Sequence, residues 1–174
     1  EGIVACRDLA AELSKDRIRW EFQRLINGEH AGKGLRMLMG TGLLSLVIGD
    51  EAAGRMSRRE LENYETLVEN IHKTMRVPER RLGLFYTALE ETRGLKALAH
   101  LEYSGKMDQC LKDAVLLTPQ VYFLSNKYDL KRFLIRYGME RYEYLHNLTK
   151  AQRIVYDYDE HKIMARTVIL EDIY

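Results

Sequence analysis

The chain has 174 residues, of which 46% are hydrophobic and 30% charged, a balance that indicates a folded globular protein and excludes an intrinsically disordered one. Its formal net charge is only +1, so nucleic-acid binding would need a local basic face rather than a basic average. Its two cysteines, Cys6 and Cys110, exclude a disulfide framework and lack zinc-ligand spacing. No apolar run approaches the roughly 18 residues of a membrane span, so we expect a cytoplasmic protein with reduced thiols.

Apolar residues at helical spacing begin near the start of the chain, and residues 3–13 predict a first helix. Ser14 is placed to cap a second helix, because its hydroxyl can accept a bond from a first-turn amide. Asn27 and Gly28 tolerate the left-handed conformation and are predicted to end that helix. A third helix is predicted over residues 31–39 and is expected to end at Gly40 and Gly42.

The remainder of the chain also predicts helices. Residues 43–47 are expected to form a compact buried turn, and Ser57 with Glu60 has capping-box spacing. Pro78 suits the first turn of the next helix. Further helices are predicted over 106–117, 127–137, 140–148 and 149–166, with 121–124 as a helical turn. The fold class is therefore all-α, as an irregular multi-helix bundle or a curved helical stack.

The most informative motif is Leu-Ser-Lys-Asp-Arg-Ile-Arg-Trp-Glu-Phe at residues 13–22, followed by Gly-Leu-Arg-Met-Leu at 34–38 and Thr-Gly-Leu-Leu at 41–44. This series resembles the neck-to-body junction of class II tRNA nucleotidyltransferases (CCA-adding enzymes) and bacterial poly(A) polymerases. The family pattern has Glu where this chain has Asp16. Residues 101–106 and 130–138 resemble later family segments more loosely.

The resemblance implies an RNA-holding piece of an enzyme that adds CCA to tRNA 3′ ends. Residues 1–48 would be the end of the neck helices and the junction, and 49–174 a helical body truncated at its C-terminal end. The family's head carries an Asp-x-Asp pair for Mg²⁺, and its neck a Glu-Asp-x-x-Arg motif for CTP or ATP. The chain's one Asp-x-Asp, at 157–159, lies in a stretch predicted to be a solvated helix face. No catalytic residue, metal ligand or cofactor is therefore expected here, and the piece alone should be inactive.

Two other functions stay open. The parent could be a bacterial poly(A) polymerase, which shares these motifs, or the chain could be a helical interaction scaffold unrelated to RNA. A metal-dependent phosphohydrolase is disfavoured, because residues 84–90 lack the His-Asp doublet that such a domain would show there. Oligomeric state stays open as well.

The resemblance assigns the motif residues Ser14, Asp16, Arg17 and Glu21 a role in bracing the neck helices. The alternative for Arg17 and Glu21 is a surface ion pair between side chains four residues apart. Trp20 is expected to pack in the core rather than to stack on a base.

Two basic sets are candidates for contact with RNA, each with a solvated surface as the alternative. The first lies near the start of the third helix, where a phosphate could bind. The second is the densest basic set of the chain and is interleaved with tyrosines. The first set comprises His30, Lys33 and Arg36, and the second comprises Lys127, Lys131, Arg132, Arg136 and Arg141.

Overall fold

The computed structural model describes residues 12–49 and 53–156, and within these ranges the chain is helical with no β-strand, which confirms the all-α prediction. A short 3₁₀ turn, Ile71–Lys73, follows the fourth of the described α-helices. In chain order these helices are α1 (Lys15–Ile26), α2 (Ala31–Thr41), α3 (Leu44–Ile48), α4 (Arg58–Asn70), α5 (Pro78–Thr87), α6 (Glu91–Leu101), α7 (Gly105–Tyr122), α8 (Lys127–Tyr137) and α9 (Met139–Tyr156). The predicted first helix, residues 3–13, lies almost entirely outside the described residues.

The beginning of α1 is as predicted, because the Ser14 hydroxyl accepts a bond from the Arg17 amide at 3.2 Å. The helix ends at Asn27 in the right-handed region, without the left-handed step that we expected. Gly40 does not end α2 but lies within it. Gly42, with φ of 75°, makes the left-handed turn that does end it.

The predicted buried turn after Gly42 is a one-turn helix, α3, whose Leu44, Val47 and Ile48 are all buried. At the next helix the capping box is confirmed: the Glu60 amide donates to the Ser57 hydroxyl at 3.2 Å, and the Ser57 amide donates to the Glu60 carboxylate at 2.9 Å. Pro78 is confirmed in the first turn of α5.

Helix α6 was not among those predicted. Gly94 is the fourth residue of this helix, and a glycine inside a helix weakens it in isolation. In the fold Gly94 is buried, and a Cβ there would lie only 3.1 Å from the Tyr86 carbonyl oxygen of α5. The missing side chain therefore lets α6 pack closely against α5, and this packing stabilises a helix that its local sequence disfavours.

Two predicted helix boundaries, at residue 117 and between residues 148 and 149, are also wrong, because packing between helices outweighs the local sequence signal. Helix α7 continues beyond residue 117 and through Pro119, because Thr118 and Val121 of its last turns are buried. Helix α9 is continuous across the predicted break between residues 148 and 149. The Thr149 hydroxyl bonds to the His146 carbonyl inside that helix at 2.7 Å, so it does not cap a new one.

The buried apolar side chains form two clusters. The larger one joins α1–α6 with most of α7 and the second half of α9, represented by Leu148 and Val155. The smaller one joins α8 to the end of α7 and to the first half of α9, represented by Tyr142 and Leu145. Helix α9 thus belongs to both clusters and fixes α8 onto the rest of the molecule.

Two buried charged side chains hold loop backbone in place. The Arg81 side chain, with the residue 2% exposed, donates to the carbonyl oxygens of Ile26 and Gly28 at the end of α1 and of Ile71 and Thr74 after α4, at 2.8 to 3.3 Å. Desolvation by burial lowers the pKa of the Arg81 guanidinium, and the nearby Arg76 charge adds to that shift. The second is Glu60, which ties the beginning of α4 to the beginning of α6 and is treated below.

Candidate nucleic-acid interface

The exposed side of α1 carries an aromatic ring between two cations. The Arg17 guanidinium lies 5.3 Å, and that of Arg24 4.7 Å, from the centroid of the Trp20 ring. Trp20 is 52% exposed. The prediction that Trp20 packs in the core is wrong: Phe22 and Ile26 fill the core from α1, and Trp20 lies about 200° around the helix from Phe22.

A carboxylate lies beside these cations. Glu21 pairs with Arg17 at 2.7 Å and approaches Arg24 at 3.8 Å, with all three side chains between 42% and 64% exposed. The surface ion pair that the sequence left open is therefore present. Ion pairs as exposed as this contribute about 0.5 kcal/mol or less to folding, so both guanidiniums can leave Glu21 for a stronger partner.

The other motif residues attach α1 to the end of α6. Asp16 pairs with Arg19 at 2.6 Å, and Arg19 donates to the carbonyl oxygens of Leu101 and Glu102 at 2.7 and 3.0 Å. Lys15 pairs with the Glu102 carboxylate at 3.1 Å. These contacts fix the rotation of α1 and so the direction in which Trp20 projects. The role in bracing neck helices stays a prediction.

Helix α2 presents the first predicted basic set at the surface. His30 precedes α2 without a side-chain capping bond, and His30, Lys33 and Arg36 are all exposed or partly exposed. Lys33 and Arg36 line an open cleft of about 710 Å³ between α2 and α4, which Glu69 of α4 also lines. The carboxylate of Glu69 weakens the positive potential there, so this set is a less basic surface than α8.

Helix α8 carries the second basic set on its exposed side, spread over about half of the helix circumference. Lys127, Lys131 and Arg132 are exposed, and so is Arg136. The Arg132 guanidinium lies 5.7 Å from the Tyr128 ring, and that of Arg136 lies 5.2 Å from the Tyr137 ring. No carboxylate of the described ranges forms an ion pair with Lys131, Arg132 or Arg136. Exposed Ile135, at 87%, and Tyr128, at 69%, add flat apolar surface to this face.

Arg141 does not belong to that exposed face. It binds Asp113 of α7 through two hydrogen bonds of 2.8 and 2.6 Å, and Asp113 is only 4% exposed. The hydrogen bond with Asp113 raises the pKa of Arg141 above its ordinary range. Arg141 therefore fastens α9 to α7, and we remove it from the predicted RNA-binding set.

The remaining sequence candidates contribute no reactive site to the described part of the chain. Cys110 is a half-buried free thiol, and burial raises its pKa, which makes it a poor nucleophile. Cys6 and the Asp-x-Asp at 157–159 lie outside the described residues. Within 12–49 and 53–156 no group of three His, Cys, Asp or Glu side chains could hold a metal ion, and no helix is long and apolar enough to cross a membrane.

Comparison with known families then adds one match. Residues 1–49 match the family described as "Probable RNA and SrmB-binding site of polymerase A". This segment is therefore related to the RNA-binding region of poly(A) polymerases. No curated protein and no solved structure matches the chain.

The matched segment contains α1, α2 and α3, and therefore the cation-flanked Trp20. Sequence reasoning missed the exposed cluster of Trp20 and Arg24, because a tryptophan inside an amphipathic pattern is more often a core residue. A signal was nevertheless present. Arg17, Trp20 and Arg24 are spaced by three and four residues, which places them on one ridge of a helix.

Proposed function

We propose that this chain is the RNA-holding helical part of a template-independent nucleotidyltransferase of the cytoplasm, and that its RNA is a tRNA whose 3′ end the parent enzyme extends with CCA. The observation that carries the proposal is the coincidence of two independent features in α1. This helix belongs to the segment related to a polymerase RNA-binding region, and its outer ridge presents Arg17, Trp20 and Arg24 to solvent.

In such an enzyme the catalytic carboxylates, Mg²⁺, CTP and ATP belong to other parts of the parent protein. This chain would contribute by holding the RNA so that its 3′ end reaches the reacting groups. Correct placement of a substrate can lower a reaction barrier by several kcal/mol without any reactive residue in the positioning element. The 174-residue chain alone is expected to add no nucleotides.

A folded RNA such as tRNA suits the arrangement of the cationic surfaces. Helix α1 packs into the larger apolar cluster through the side opposite its ridge, whereas α8 packs into the smaller cluster. The motif also continues into α2, with Lys33 and Arg36 at the surface. An RNA that keeps its shape can touch surfaces of both clusters at once, and each phosphate contact adds to affinity and to its dependence on salt.

The test is fluorescence anisotropy of labelled, deacylated tRNA with the full 174-residue chain at several salt concentrations, against an unrelated hairpin RNA. We expect binding that prefers tRNA and weakens steeply with salt. The double variant Lys131→Glu, Arg132→Glu should weaken tRNA binding. It should also make the slope of log affinity against log salt concentration shallower by about 1 for each phosphate that the chain no longer neutralises. The control is Lys96→Glu, an exposed lysine of α6. Absence of binding at low salt, or equal effects of the control, would overturn the proposal.

The second candidate is a poly(A) polymerase, which the description of the matched family favours by naming polymerase A. Its RNA would be a single-stranded 3′ tail rather than a folded tRNA. Competition separates the two. The two unlabelled competitors, oligo(A) and tRNA, are compared at equal nucleotide concentration. If oligo(A) displaces labelled tRNA as well as unlabelled tRNA does, the poly(A) polymerase function is favoured. If tRNA competes much better, the CCA-adding function is favoured.

A further inference from the structure

We propose that Trp20 is a stacking platform for one unpaired base of the bound RNA, and that Arg17 and Arg24 bind the phosphates on either side of that base. The proposal rests on the proposed function and deepens it, because it names a site and the class of group that the site takes. It concerns a side chain for which the sequence predicted a different role.

The exposure of Trp20 is the first observation. Burying a tryptophan side chain is strongly favourable, since it is the largest apolar surface that a residue can offer. The described fold leaves Trp20 52% exposed, while the neighbouring Phe22 is 3% exposed on the opposite side of the same helix. Trp20 therefore lies at the surface with about half of the residue accessible, which is the condition for stacking against a ligand.

The second observation is the pair of guanidiniums beside the ring. At 5.3 and 4.7 Å from the ring centroid, both lie within the range of a cation–π contact. Both arginine side chains remain well exposed and are held otherwise only by Glu21 among the described residues. They can therefore turn to phosphate oxygens, which bind guanidinium in a two-pronged geometry, while a base takes their place on the ring.

The combination favours a nucleic acid over an acidic peptide. Carboxylates of a peptide would satisfy the two arginines but would leave the tryptophan face uncovered. A nucleotide offers a flat ring and an anionic phosphate a few ångströms apart, and so matches both features. The base must be unpaired, because within a duplex both faces of a base are already stacked.

The placement of α1 gives the platform a fixed orientation. Arg19, one residue before Trp20, is bound to the two carbonyl oxygens at the end of α6 and to Asp16. Phe22 packs edge-on against Phe85 of α5 at 4.7 Å between ring centroids. The helix backbone at Trp20 is therefore held from both sides and does not have to reorganise when a base replaces the arginines on the ring, which reduces the entropic cost of binding.

The experiment uses the fact that Trp20 is the chain's only tryptophan, so its emission reports on this site alone. The 174-residue chain is titrated with a labelled single-stranded RNA of about ten nucleotides and with a blunt duplex of the same length. Label anisotropy measures total binding, and tryptophan emission measures stacking. We expect the single strand to quench the emission in proportion to binding, and the duplex to quench it far less.

Three variants complete the test. Trp20→Leu should weaken single-strand binding roughly five- to tenfold, whereas Trp20→Phe, which keeps a stacking ring, should show roughly half of that effect or less. Phe123→Leu removes another exposed aromatic ring, 81% exposed and outside the matched segment, and should change nothing. Thermal melts should coincide for all four proteins, because neither ring is part of the core.

The outcomes separate the two proposals. Single-strand binding without quenching, or with Trp20→Leu equal to the unaltered chain, overturns the stacking site and leaves the RNA-binding function standing. No binding of tRNA or of either short RNA at low salt overturns the proposed function and the stacking site together. Equal weakening by Trp20→Leu and Phe123→Leu would also overturn the stacking site, since the effect would then be generic.

Discussion

Replacing Glu60 by Gln tests the contact that holds two parts of the molecule together. Glu60 is 1% exposed and accepts from the amides of Ser57 and Glu90, at 2.9 and 3.0 Å. Arg93 donates to both of its oxygens, with distances between 2.7 and 2.8 Å. The carboxylate thereby joins the beginnings of α4 and α6, and α6 in turn provides the carbonyl oxygens that hold α1.

The cost of Glu60→Gln follows from these contacts. The amide nitrogen of glutamine would face a donor, which leaves one buried N–H without an acceptor, and Arg93 would be deprived of its buried counter-charge. Each of these changes costs about 1 to 3 kcal/mol, so we expect the free energy of unfolding to fall by about 3 kcal/mol. Urea denaturation at pH 7, followed by circular dichroism, measures it. The control is Glu62→Gln on the same helix, where an exposed pair with Arg58 at 3.0 Å should contribute less than about 0.5 kcal/mol.

The pH dependence gives a second measurement of the same contact. Burial alone would raise the pKa of Glu60, but the hydrogen bonds from Arg93 and from the Ser57 and Glu90 amides outweigh it and hold the pKa below the ordinary value of 4.5. A lowered folded-state pKa contributes stability that is fully present above 4.5 and disappears as the pH falls through the folded-state value. The difference between the unaltered chain and Glu60→Gln should therefore shrink below pH 4.5. A difference under about 0.5 kcal/mol at pH 7, equal to the Glu62 control, would refute this account.

Three other substitutions test further contacts. Arg81→Met should lower the free energy of unfolding, measured by urea denaturation, by about 3 to 5 kcal/mol, because four carbonyl oxygens are deprived of their buried donor. A decrease under about 1 kcal/mol would contradict this expectation. Arg153→Met should leave that free energy unchanged or raise it by up to about 2 kcal/mol. The Arg153 guanidinium nitrogens Nη1 and Nη2 are buried without a hydrogen-bond partner among the described residues, and the contact of the guanidinium with the Tyr122 ring at 5.7 Å offsets only part of that cost; a decrease would contradict this account. Glu21→Gln should strengthen RNA binding roughly two- to fivefold at low salt by releasing Arg17 and Arg24, and unchanged anisotropy titrations would count against the α1 interface.

The elements that could be predicted are those whose signals are local. Ser14, Ser57 and Pro78 mark helix beginnings through capping and backbone geometry within four residues, and all three are confirmed. The bounds of α8 are likewise as predicted, because Asn126 caps its beginning and Gly138, with φ of 85°, ends it. Such signals depend on no partner from elsewhere in the chain.

The elements that could not be predicted are those decided by packing. Gly94 in α6 and Pro119 in α7 disfavour helices locally, and only contacts between distant helices keep both segments helical. Trp20 is a different case, because its spacing was informative: it lies about 200° around α1 from Phe22, opposite the apolar stripe that Phe22 and Ile26 belong to. The general tendency of tryptophan to be buried outweighed that signal in the prediction. Arg141 was misplaced because its partner, Asp113, comes from a distant part of the chain.

Helix α9 connects the parts of the molecule that carry the two cationic surfaces. Its first half packs with α8, and its second half packs in the larger cluster against α5, which in turn packs against α1. An RNA long enough to reach both surfaces would bind the second one intramolecularly, whereas a short RNA could occupy only one of them. Charge reversal on α8 should therefore weaken tRNA much more than a single strand of about ten nucleotides bound at Trp20. Equal weakening of both RNAs would mean that the two faces do not act as separate sites on one rigid body.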